Sequence, residues 1–464
     1  MDAHFANHTD PITDPFTDRI TDRTTDPATS ALDAVPAPSQ RRLAVRVTND
    51  AIRQIRGGHP WIFDGSIVSV NHDDAAPGDL AVVFDAERQF VAIGLYDPTS
   101  AIRVRVLHHG KPATIDGAWW ERTIRAAIER RAAVLAAGDT TGYRVIHGEN
   151  DGMPGLVLDR YGDTFVLKLY TAAWLPHLAT LIPIIDEQLH PRSLVLRFSR
   201  ELTGKAGSAA LHGLREGMAL IGETPTAPVL FHEHGLIFEA DVVHGQKTGH
   251  FLDQRDNRAK VRPLAKDKRV LDLFACTGGF SVFAAAGGAT SVHSVDLSTA
   301  ALDTATRNMA HNAFINNVQR CKHTVQAADV FDVLQAFGKQ KRRFDIVIVD
   351  PPSFARKQLD HERALHAYRR LTRLALDLVE DGGVLVQSSC SSRVRADEFF
   401  DGVHSAAAST DHRVTEMLRT THAADHPVAF AEGAYLKTIF LRVHARAAGA
   451  GMRGRTSTHG SMGG

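Results

Sequence analysis

Residues 270–280 constrain the fold of this chain more than any other segment. The apolar residues 270–274 predict a buried parallel strand, and Thr277-Gly278-Gly279 predicts a tight turn where a ligand can approach the backbone. Residues 280–286 then predict a short helix. A strand, a glycine turn and a helix form the first unit of a doubly wound α/β sheet, in which the ligand lies at the carboxyl ends of the strands.

The turn predicts a nucleoside cofactor. Asp296 ends the next apolar stretch, about 20 residues after the glycines, where a carboxylate accepts hydrogen bonds from ribose hydroxyls. The glycines lack the full G-x-G-x-x-G pattern of pyrophosphate sites, so S-adenosylmethionine (SAM) fits better. The alternative is an ordinary turn with an Asp there by chance. The predicted SAM-binding residues here are Phe274, Thr277, Gly278, Gly279 and Asp296.

Composition and charge argue against a strongly basic protein, a cysteine metal site, disulfides and a membrane span. The net charge of the 464 residues is zero, so contact with nucleic acid requires local basic patches. Cys276, Cys321 and Cys390 are widely spaced, which predicts neither a metal site nor disulfides and favours the reducing cytoplasm. No apolar run reaches ~18 residues, so no membrane span is expected. The oligomeric state stays open, with a homodimer as one alternative.

The chain divides into three predicted domains between two tails. A disordered tail is expected at 1–40, a small β domain at 41–115, a central α/β domain at 116–240, the doubly wound domain at 241–445 and a second flexible tail at 446–464. In the β domain, Arg53 and Trp61 suit contact with RNA phosphates and bases. The alternative is a core position for Trp61 and a solvated Arg53.

Three strand ends are expected to meet at one sheet edge: Thr277 to Gly279, Asp350 to Phe354, and Cys390. Asp329 follows another predicted strand. It either accepts a hydrogen bond from the adenine amine of SAM or caps the next helix.

The Asp350-Pro351-Pro352-Ser353-Phe354 segment predicts a rigid acidic loop. Proline fixes the backbone and removes donors near Asp350. An Asp and an aromatic ring can hold a flat base by its polar edge and its face, with Pro351, Pro352 and Phe354 as substrate contacts. Because N-methyltransferases use the same shape to hold an amine, this loop does not identify the methylated atom.

Cys390 favours carbon 5 of a pyrimidine. A thiolate that adds to carbon 6 makes carbon 5 nucleophilic, and this requires a lowered thiol pKa. The alternative is a Cys that packs as a small apolar side chain. The base that removes the carbon-5 proton is not identified. Asp425, His426 and Glu432 are candidates by their acid–base chemistry alone.

Helical spacing follows the acidic loop. Five apolar residues spaced by three or four predict a long helix that ends at Asp381-Gly382-Gly383, and residues 384–387 predict the strand that leads to Cys390. The spaced residues are Leu365, Tyr368, Leu371, Leu374 and Leu378.

These motifs together resemble the bacterial 23S rRNA cytosine-C5 methyltransferases, which join an N-terminal PUA domain, a central α/β domain and a SAM-binding domain. The resemblance rests on His59-Pro60-Trp61, on residues 97–105 and 143–156, on Lys247-Thr248-Gly249 with residues 251–255, and on residues 424–428 and 432–437. It implies that Cys390 is the nucleophile and favours RNA contact by residues 53–63. It also implies that Gln254 and Arg255 contact the cofactor and that large-subunit rRNA is the partner. By its own chemistry, Asp350 is expected to hydrogen-bond the N3 and amine edge of the cytosine and to stabilise charge as the adduct forms.

Some residues depart from the family pattern. His250 replaces an aromatic residue and Cys276 replaces a Tyr. Ser353 occupies the position where another group of RNA cytosine methyltransferases carries its nucleophile. Two rival functions remain open: an N-methyltransferase acting on a guanine or adenine amine, and a non-catalytic RNA-binding assembly factor.

Overall fold

The computed structural model describes residues 31–204, 211–355 and 360–445. Residues 31–40 of the predicted N-terminal tail fall in this part. Ala31, Leu32 and Val35 pack against the core of the central domain, so this apolar stretch belongs to the folded chain. Residues 1–30 and the predicted tail at 446–464 lie outside the described residues.

The first sheet is built from short strands with alternating buried and exposed side chains. Its order is β2-β6-β5-β4-β1-β3, and it is compatible with the predicted small barrel. The pairing of β1 with β4 is parallel and the others are antiparallel. The sequence prediction missed β2, which is only three residues long. The elements are β1 (Arg42–Val47), α1 (Asn49–Arg56), β2 (Trp61–Phe63), β3 (Ile67–Val70), β4 (Leu80–Phe84), β5 (Phe90–Tyr96) and β6 (Ile102–His109).

The central domain is a five-stranded sheet in the order β11-β10-β9-β8-β7. Its strands are largely buried, and Trp120 of α2 and Trp174 pack in the same core as Leu181 of α4. The elements are α2 (Gly117–Glu129), α3 (Ala132–Ala136), β7 (Gly142–His147), β8 (Leu156–Tyr161), β9 (Thr164–Leu169), α4 (Leu178–Leu189), β10 (Ser193–Phe198), α5 (Arg200–Thr203) and β11 (Ala219–Ile221).

A hairpin links the central domain to the last one. β12 (Val229–Glu233) and β13 (Leu236–Ala240) turn at His234-Gly235. Phe231 of β12 lies so close to Gly142 of β7 that a Cβ there would be 2.1 Å from its ring. Only glycine fits at that position, and the hairpin is thereby fixed against the central sheet.

The last domain has a seven-stranded sheet in the order β16-β15-β14-β17-β18-β20-β19. The strands β14 to β18 are parallel, and β20 is antiparallel to both of its neighbours. The elements are α6 (Arg255–Val261), β14 (Arg269–Leu273), α7 (Gly279–Ala286), β15 (Ser291–Asp296), α8 (Thr299–His311), α9 (Asn316–Arg320), β16 (Lys322–Ala327), α10 (Val330–Lys339), β17 (Phe344–Val349), α11 (His361–Leu376), β18 (Val379–Ser389), α12 (Ala396–Ala408), β19 (His412–Thr420) and β20 (Lys437–Ala445).

This topology is the doubly wound α/β fold that the sequence predicts. Helices cover both faces of the sheet, and two separate apolar cores lie on its two sides. Because the consecutive strands β14 to β18 are parallel, their carboxyl ends lie at one edge. The turn after β14, the acidic loop after β17 and Cys390 after β18 therefore meet there.

One predicted boundary is wrong. The helix α11 ends at Leu376, and Asp381-Gly382-Gly383 lies inside β18 instead of ending the helix. β18 begins at Val379 and its pairing with β17 shifts register between Phe344 and Ile346, so the two glycines form an irregularity within a strand. Leu378 is fully buried but lies between the helix and the strand.

Across the described ranges, no helix is both long enough and apolar enough to span a bilayer.

Candidate active site

The turn after β14 is held in a strained backbone conformation. Phe274, Cys276 and Gly278 all have positive φ, at 60°, 48° and 75°. Such strain in non-glycine residues concentrates at functional sites. A Cβ at Gly278 would lie 2.7 Å from the Cβ of Ala305, so the turn also packs too closely on α8 for any other residue. The side-chain amide of Asn308 donates to the Thr277 carbonyl (2.8 Å) and fixes the turn.

Asp296 lies directly against this turn. Its Oδ2 accepts from the Cys276 amide and its Oδ1 from the Ser298 amide, both at 2.9 Å. The carboxylate is thereby fixed at the carboxyl end of β15, half-buried beside the glycines. Each oxygen keeps a second lone pair for a ribose hydroxyl.

Asp329 is exposed and caps α10. Its Oδ1 accepts from the amides of Phe331 and Asp332, at 2.8 and 3.3 Å. Of the two predicted roles of Asp329, the structure therefore shows the helix cap. The contact with the adenine amine stays a prediction that would use its other oxygen.

Asp272 is a buried carboxyl that the sequence analysis did not single out. It lies on β14, its Oδ2 accepts from the Ser281 hydroxyl (2.6 Å), and its Oδ1 has no hydrogen-bond partner in the described residues. Burial raises its pKa to about 7, and the carboxylates of Asp350 and Asp296 add to the shift. Asp272, Asp296 and Asp350 thus place three carboxyl groups at this edge of the sheet, which suits a cofactor with a sulfonium and an ammonium group.

Asp350 is held by Gln254. The Gln254 side-chain amide donates to Asp350 Oδ1 (2.7 Å) and accepts from Asn257 (2.7 Å). Burial, together with the carboxylate of Asp253, raises the pKa of Asp350 to about 7. The acid is thus protonated in a large fraction of molecules near neutral pH and can donate a hydrogen bond.

Arg255 has a different environment from its neighbour Gln254. Its buried guanidinium pairs with Asp425 (3.0 Å) and Asp256 (3.1 Å). Asp425 also accepts from the Arg144 amide (2.7 Å) of the central domain. Arg255 therefore ties α6 to the 424–428 loop and the central sheet, and its contact with the cofactor stays a prediction.

Cys390 directly follows β18, and its half-buried thiol donates to the Pro351 carbonyl at 3.7 Å. The structure thus brings the predicted nucleophile against the acidic loop. The thiol pKa, however, is not lowered as the chemistry requires. Burial raises it to about 11, and the positive charges of Lys247 and Lys437 only partly oppose this effect.

Lys437 is a residue that the sequence analysis quoted only as part of the family motif at 432–437, without a role. Its side chain on β20 is 1% exposed, and its ammonium donates to the carbonyls of Ser391, Val394 and Tyr435. Ser391 and Val394 belong to the loop that Cys390 begins. No salt bridge to a carboxylate is seen for this cation in the described ranges, and its burial lowers the pKa of Lys437 to about 8. The sequence feature that could have identified this residue is a lysine in a strand that is otherwise predicted to be buried.

Asp253, Lys247 and Tyr435 form a second polar group near the thiol, in which Asp253 is buried, Tyr435 half-buried and Lys247 exposed. Asp253 Oδ2 accepts from the Lys247 ammonium (3.2 Å) and from the Tyr435 hydroxyl (2.9 Å), while its Oδ1 is unpartnered among the described residues. Lys247 also lies 4.2 Å from the centre of the Phe251 ring. The sequence analysis quoted Lys247 and Asp253 as family motif residues but gave them no role.

The three candidate bases lie in different surroundings. Asp425 is fully buried, and His426 and Arg255 hold its pKa well below the usual range although burial opposes this. His426 is buried with its ring 4.9 Å from that of His147. Glu432 is half-exposed and lies 3.6 Å from His59 of the β domain.

The other predicted substrate contacts differ in accessibility. Pro351 is buried and Pro352 is exposed, while Phe354 packs half-buried against Tyr368, with 5.1 Å between ring centres. Arg53 on α1 is exposed and pairs with Asp50 (2.8 Å). Trp61 is half-buried, because its indole N–H donates to Glu149 (2.8 Å) and its ring contacts Phe430.

The two departures from the family pattern both lie at the turn. His250 is buried, its Nδ1 is 3.5 Å from the Thr277 hydroxyl, and burial lowers its pKa well below the usual value. Cys276 is part of the turn itself, and burial raises its pKa to about 11.

Comparisons with known proteins agree with this geometry. A family model described as "S-adenosylmethionine-dependent methyltransferase" matches residues 219–440, and one described as "PUA-like domain" matches residues 45–109. The chain is 46% identical over 414 residues to a ribosomal RNA large subunit methyltransferase of Deinococcus radiodurans, covering 88% of this chain and all of that protein. It is 34% identical to ribosomal RNA large subunit methyltransferase I of Pseudoalteromonas translucida, covering 84% and 97%.

A solved SAM-dependent methyltransferase from Streptococcus mutans has the same fold, with a TM-score of 0.72 at 20% identity, covering 86% of this chain and 99% of that one. The relatives confirm the predicted family, and the PUA-like and methyltransferase domains confirm the predicted fold class. SAM is the cofactor. The chain belongs to the family of SAM-dependent large-subunit ribosomal RNA methyltransferases.

Proposed function

We propose that this enzyme methylates carbon 5 of a cytosine in 23S rRNA, with Cys390 as the nucleophile. Membership of this family supports methyltransferase activity on large-subunit rRNA. The observation that supports carbon 5 is the contact between the Cys390 thiol and the Pro351 carbonyl, which brings the only free cysteine at this loop beside Asp350. N-methylation would need Asp350 but not the thiol.

The residues at the sheet edge have separate roles in the proposed reaction. SAM supplies an electrophilic methyl group when bound, and the turn at 274–279 with Asp296 would hold it. Asp350, in its protonated form, would donate to N3 of the cytosine and so favour attack at carbon 6. The Cys390 thiolate forms a bond to carbon 6, and the electron pair of the C5=C6 bond becomes available at carbon 5.

Release of the product reverses the covalent step. After carbon 5 has gained its methyl group, a base removes the carbon-5 proton. The C–H electron pair restores the C5=C6 double bond, and the S–C6 bond breaks to return the thiolate. The enzyme and RNA are then separate again, and the methyl group remains on the base.

The high thiol pKa requires a source of positive charge. Lys247 and Lys437 are the two cations that lower the pKa of Cys390 in the free protein. A cationic cofactor at the neighbouring turn would act in the same direction. We therefore expect the thiolate to form mainly once the site is filled.

Outside the catalytic edge, Arg53 and Trp61 remain our proposed RNA contacts in the PUA-like domain. The exposed guanidinium of Arg53 can reach a phosphate. Only the exposed part of Trp61 can stack on a base, because its indole N–H is engaged by Glu149.

The direct test is the analysis of the product. Purified enzyme, SAM and unmodified 23S rRNA transcribed in vitro should yield 5-methylcytidine after nuclease digestion and mass spectrometry. The appearance of an N-methylated guanosine or adenosine in its place would support the rival amine-methylating function. The absence of any methylated nucleoside would support the non-catalytic one.

Replacing Asp296 by alanine should weaken SAM binding by roughly 2–4 kcal/mol, since two charge-assisted hydrogen bonds to the ribose are lost. Titration calorimetry measures this directly. Asp303→Ala, which removes an exposed carboxylate from α8, is the matched control. Asp296→Asn should bind with intermediate affinity because one acceptor oxygen remains. An unchanged dissociation constant in Asp296→Ala would refute the ribose contact.

Replacing Lys437 by methionine should raise the pKa of the Cys390 thiol, because a buried cation near the thiolate is removed. We expect alkylation of Cys390 by iodoacetamide at pH 8 to slow by about tenfold, with the rate profile displaced to higher pH. Exposed Lys260→Met should leave the profile unchanged. A slower rate without a displaced profile would mean that Lys437 acts only through the loop's shape.

A further inference from the structure

A cluster of cations lies at the amino ends of the sheet strands, at the edge opposite the catalytic site. The chain as a whole has 53 basic and 53 acidic residues, yet the segments 266–269, 320–322, 339–345 and 380–381 contain nine basic residues against four acidic ones. The nine residues, here called the basic edge, are Lys266, Lys268, Arg269, Arg320, Lys322, Lys339, Lys341, Arg342 and Arg343.

The strand register places these residues in a row. Arg269 is opposite Ser291, and Ser291 is opposite Lys322, in three adjacent parallel strands. Because neighbouring strands lie about 4.8 Å apart, Arg269 and Lys322 start two strands that are about 10 Å apart. The Thr290 amide donates to the Lys268 carbonyl (2.8 Å), and the Lys322 amide donates to the Thr290 carbonyl (3.1 Å), which fixes this row.

The row continues on the other side of β14. A shallow cleft there is lined by Arg269, Ser291, Lys341, Arg342, Arg343 and Glu380. The Arg342 guanidinium lies 3.8 Å from the centre of the Phe337 ring and 5.3 Å from that of Phe344. Stacking on two rings holds the guanidinium in place, so little side-chain entropy is lost when it contacts a phosphate.

Among the residues that the structure describes, ion pairs neutralise only a small part of this charge. Asp345 and Glu380 both pair with Arg269, at 3.2 and 2.8 Å. The five lysines are exposed, and within the described ranges none of them forms an ion pair with a carboxylate. They are Lys266, Lys268, Lys322, Lys339 and Lys341. A row of exposed cations without carboxylate partners suits a polyanion.

The geometry points to the basic edge as a second rRNA-binding surface, which contacts phosphates remote from the methylated nucleotide. A strand of five or six residues spans about 17–20 Å, so the basic edge and the catalytic edge lie about that far apart. A single nucleotide cannot contact both edges, whereas a folded RNA can extend around the domain. The inference rests on the proposed function, in that rRNA is the substrate.

A double charge reversal, Lys322→Glu with Lys341→Glu, tests this surface. Arg192→Glu with Arg215→Glu, which reverses two exposed charges of the central domain, is the matched control. Binding to 23S rRNA transcribed in vitro is measured on filters from about 50 to 300 mM KCl. We expect a roughly tenfold weaker affinity near 0.1 M salt, and a slope of log affinity against log salt that is smaller by about 1.4–1.8. The kcat at saturating rRNA should be unchanged.

The outcomes separate this inference from the proposed function. An affinity and a salt slope equal to those of the control variant would overturn the basic edge as an RNA surface, even if the enzyme methylates cytosine normally. If the wild-type enzyme methylates no cytosine but the charge reversal still weakens binding as expected, the proposed function fails and the surface stands. Unchanged calorimetric SAM binding in the variant confirms that it is folded.

Discussion

Replacing Cys390 by alanine should abolish methylation while SAM and RNA binding are retained. The covalent mechanism has no path without the thiolate, so we expect turnover to fall by roughly 10⁴-fold or more. The measurement is the transfer of labelled methyl groups from SAM to 23S rRNA at saturating concentrations of both. Cys321→Ala is the control, because Cys321 is also a buried free cysteine with a pKa raised to about 11.

Trapping the covalent adduct tests the same mechanism by a different observable. RNA that carries 5-fluorocytosine should form a complex with the wild-type enzyme that survives denaturing electrophoresis, because fluorine cannot leave carbon 5 as a proton does. Cys390→Ala should form none. If Cys390→Ala still methylates, or if no adduct forms while ordinary RNA is turned over, carbon 5 is not the target and the amine-methylating function takes its place.

Replacing Asp350 by alanine should lower kcat/KM by about 10²- to 10⁴-fold, since general acid assistance to the ring nitrogen is lost. Asp350→Asn should retain more activity than Asp350→Ala, because an amide still accepts from Gln254 and still donates to a base. Steady-state kinetics with 23S rRNA measure both variants. Equal activities of Asp350→Ala and the wild-type enzyme would exclude Asp350 from the reaction.

Asp350→Asn should also stabilise the protein at high pH. The folded-state pKa of Asp350 is raised to about 7, mainly by burial, whereas an unfolded Asp titrates near 4. The charged form is therefore disfavoured by folding, and the protein loses stability as the pH rises from about 4 to 7. A neutral amide removes this loss, so the gain in melting temperature should be larger at pH 8 than at pH 5. No difference between the two pH values would contradict the raised pKa.

The raised pKa of Asp350 costs stability, and the high pKa of the Cys390 thiol costs reactivity. Both follow from the same feature, which is burial at an edge where Asp272, Asp350 and Cys390 lie together. In the free protein, burial shifts all three groups towards their protonated forms. A cofactor with positive charge would favour the Cys390 thiolate, so we expect the nucleophile to form in the filled site more than in the empty one.

The sequence by itself determined the fold class and the position of the site. An apolar strand followed by Thr277-Gly278-Gly279 is compatible with few other folds. At Gly278, only glycine tolerates the close approach of the turn to α8. Parallel strands must bring their carboxyl ends to one edge, so Asp296, Asp350 and Cys390 could be placed together before any coordinates. Apolar spacing also predicted the long helix after the acidic loop and the strand that leads to Cys390.

Only the tertiary structure decided the surroundings of each group. Burial comes from elements distant in sequence, so the sequence could not show that the Cys390 pKa is raised or that Lys437 supports its loop. The glycines at 382–383 indicated a helix end, but pairing with β17 draws them into β18. Arg255 and Gln254 are adjacent in the chain, yet one pairs with Asp425 and the other holds Asp350, because neighbouring residues of a helical turn point in different directions.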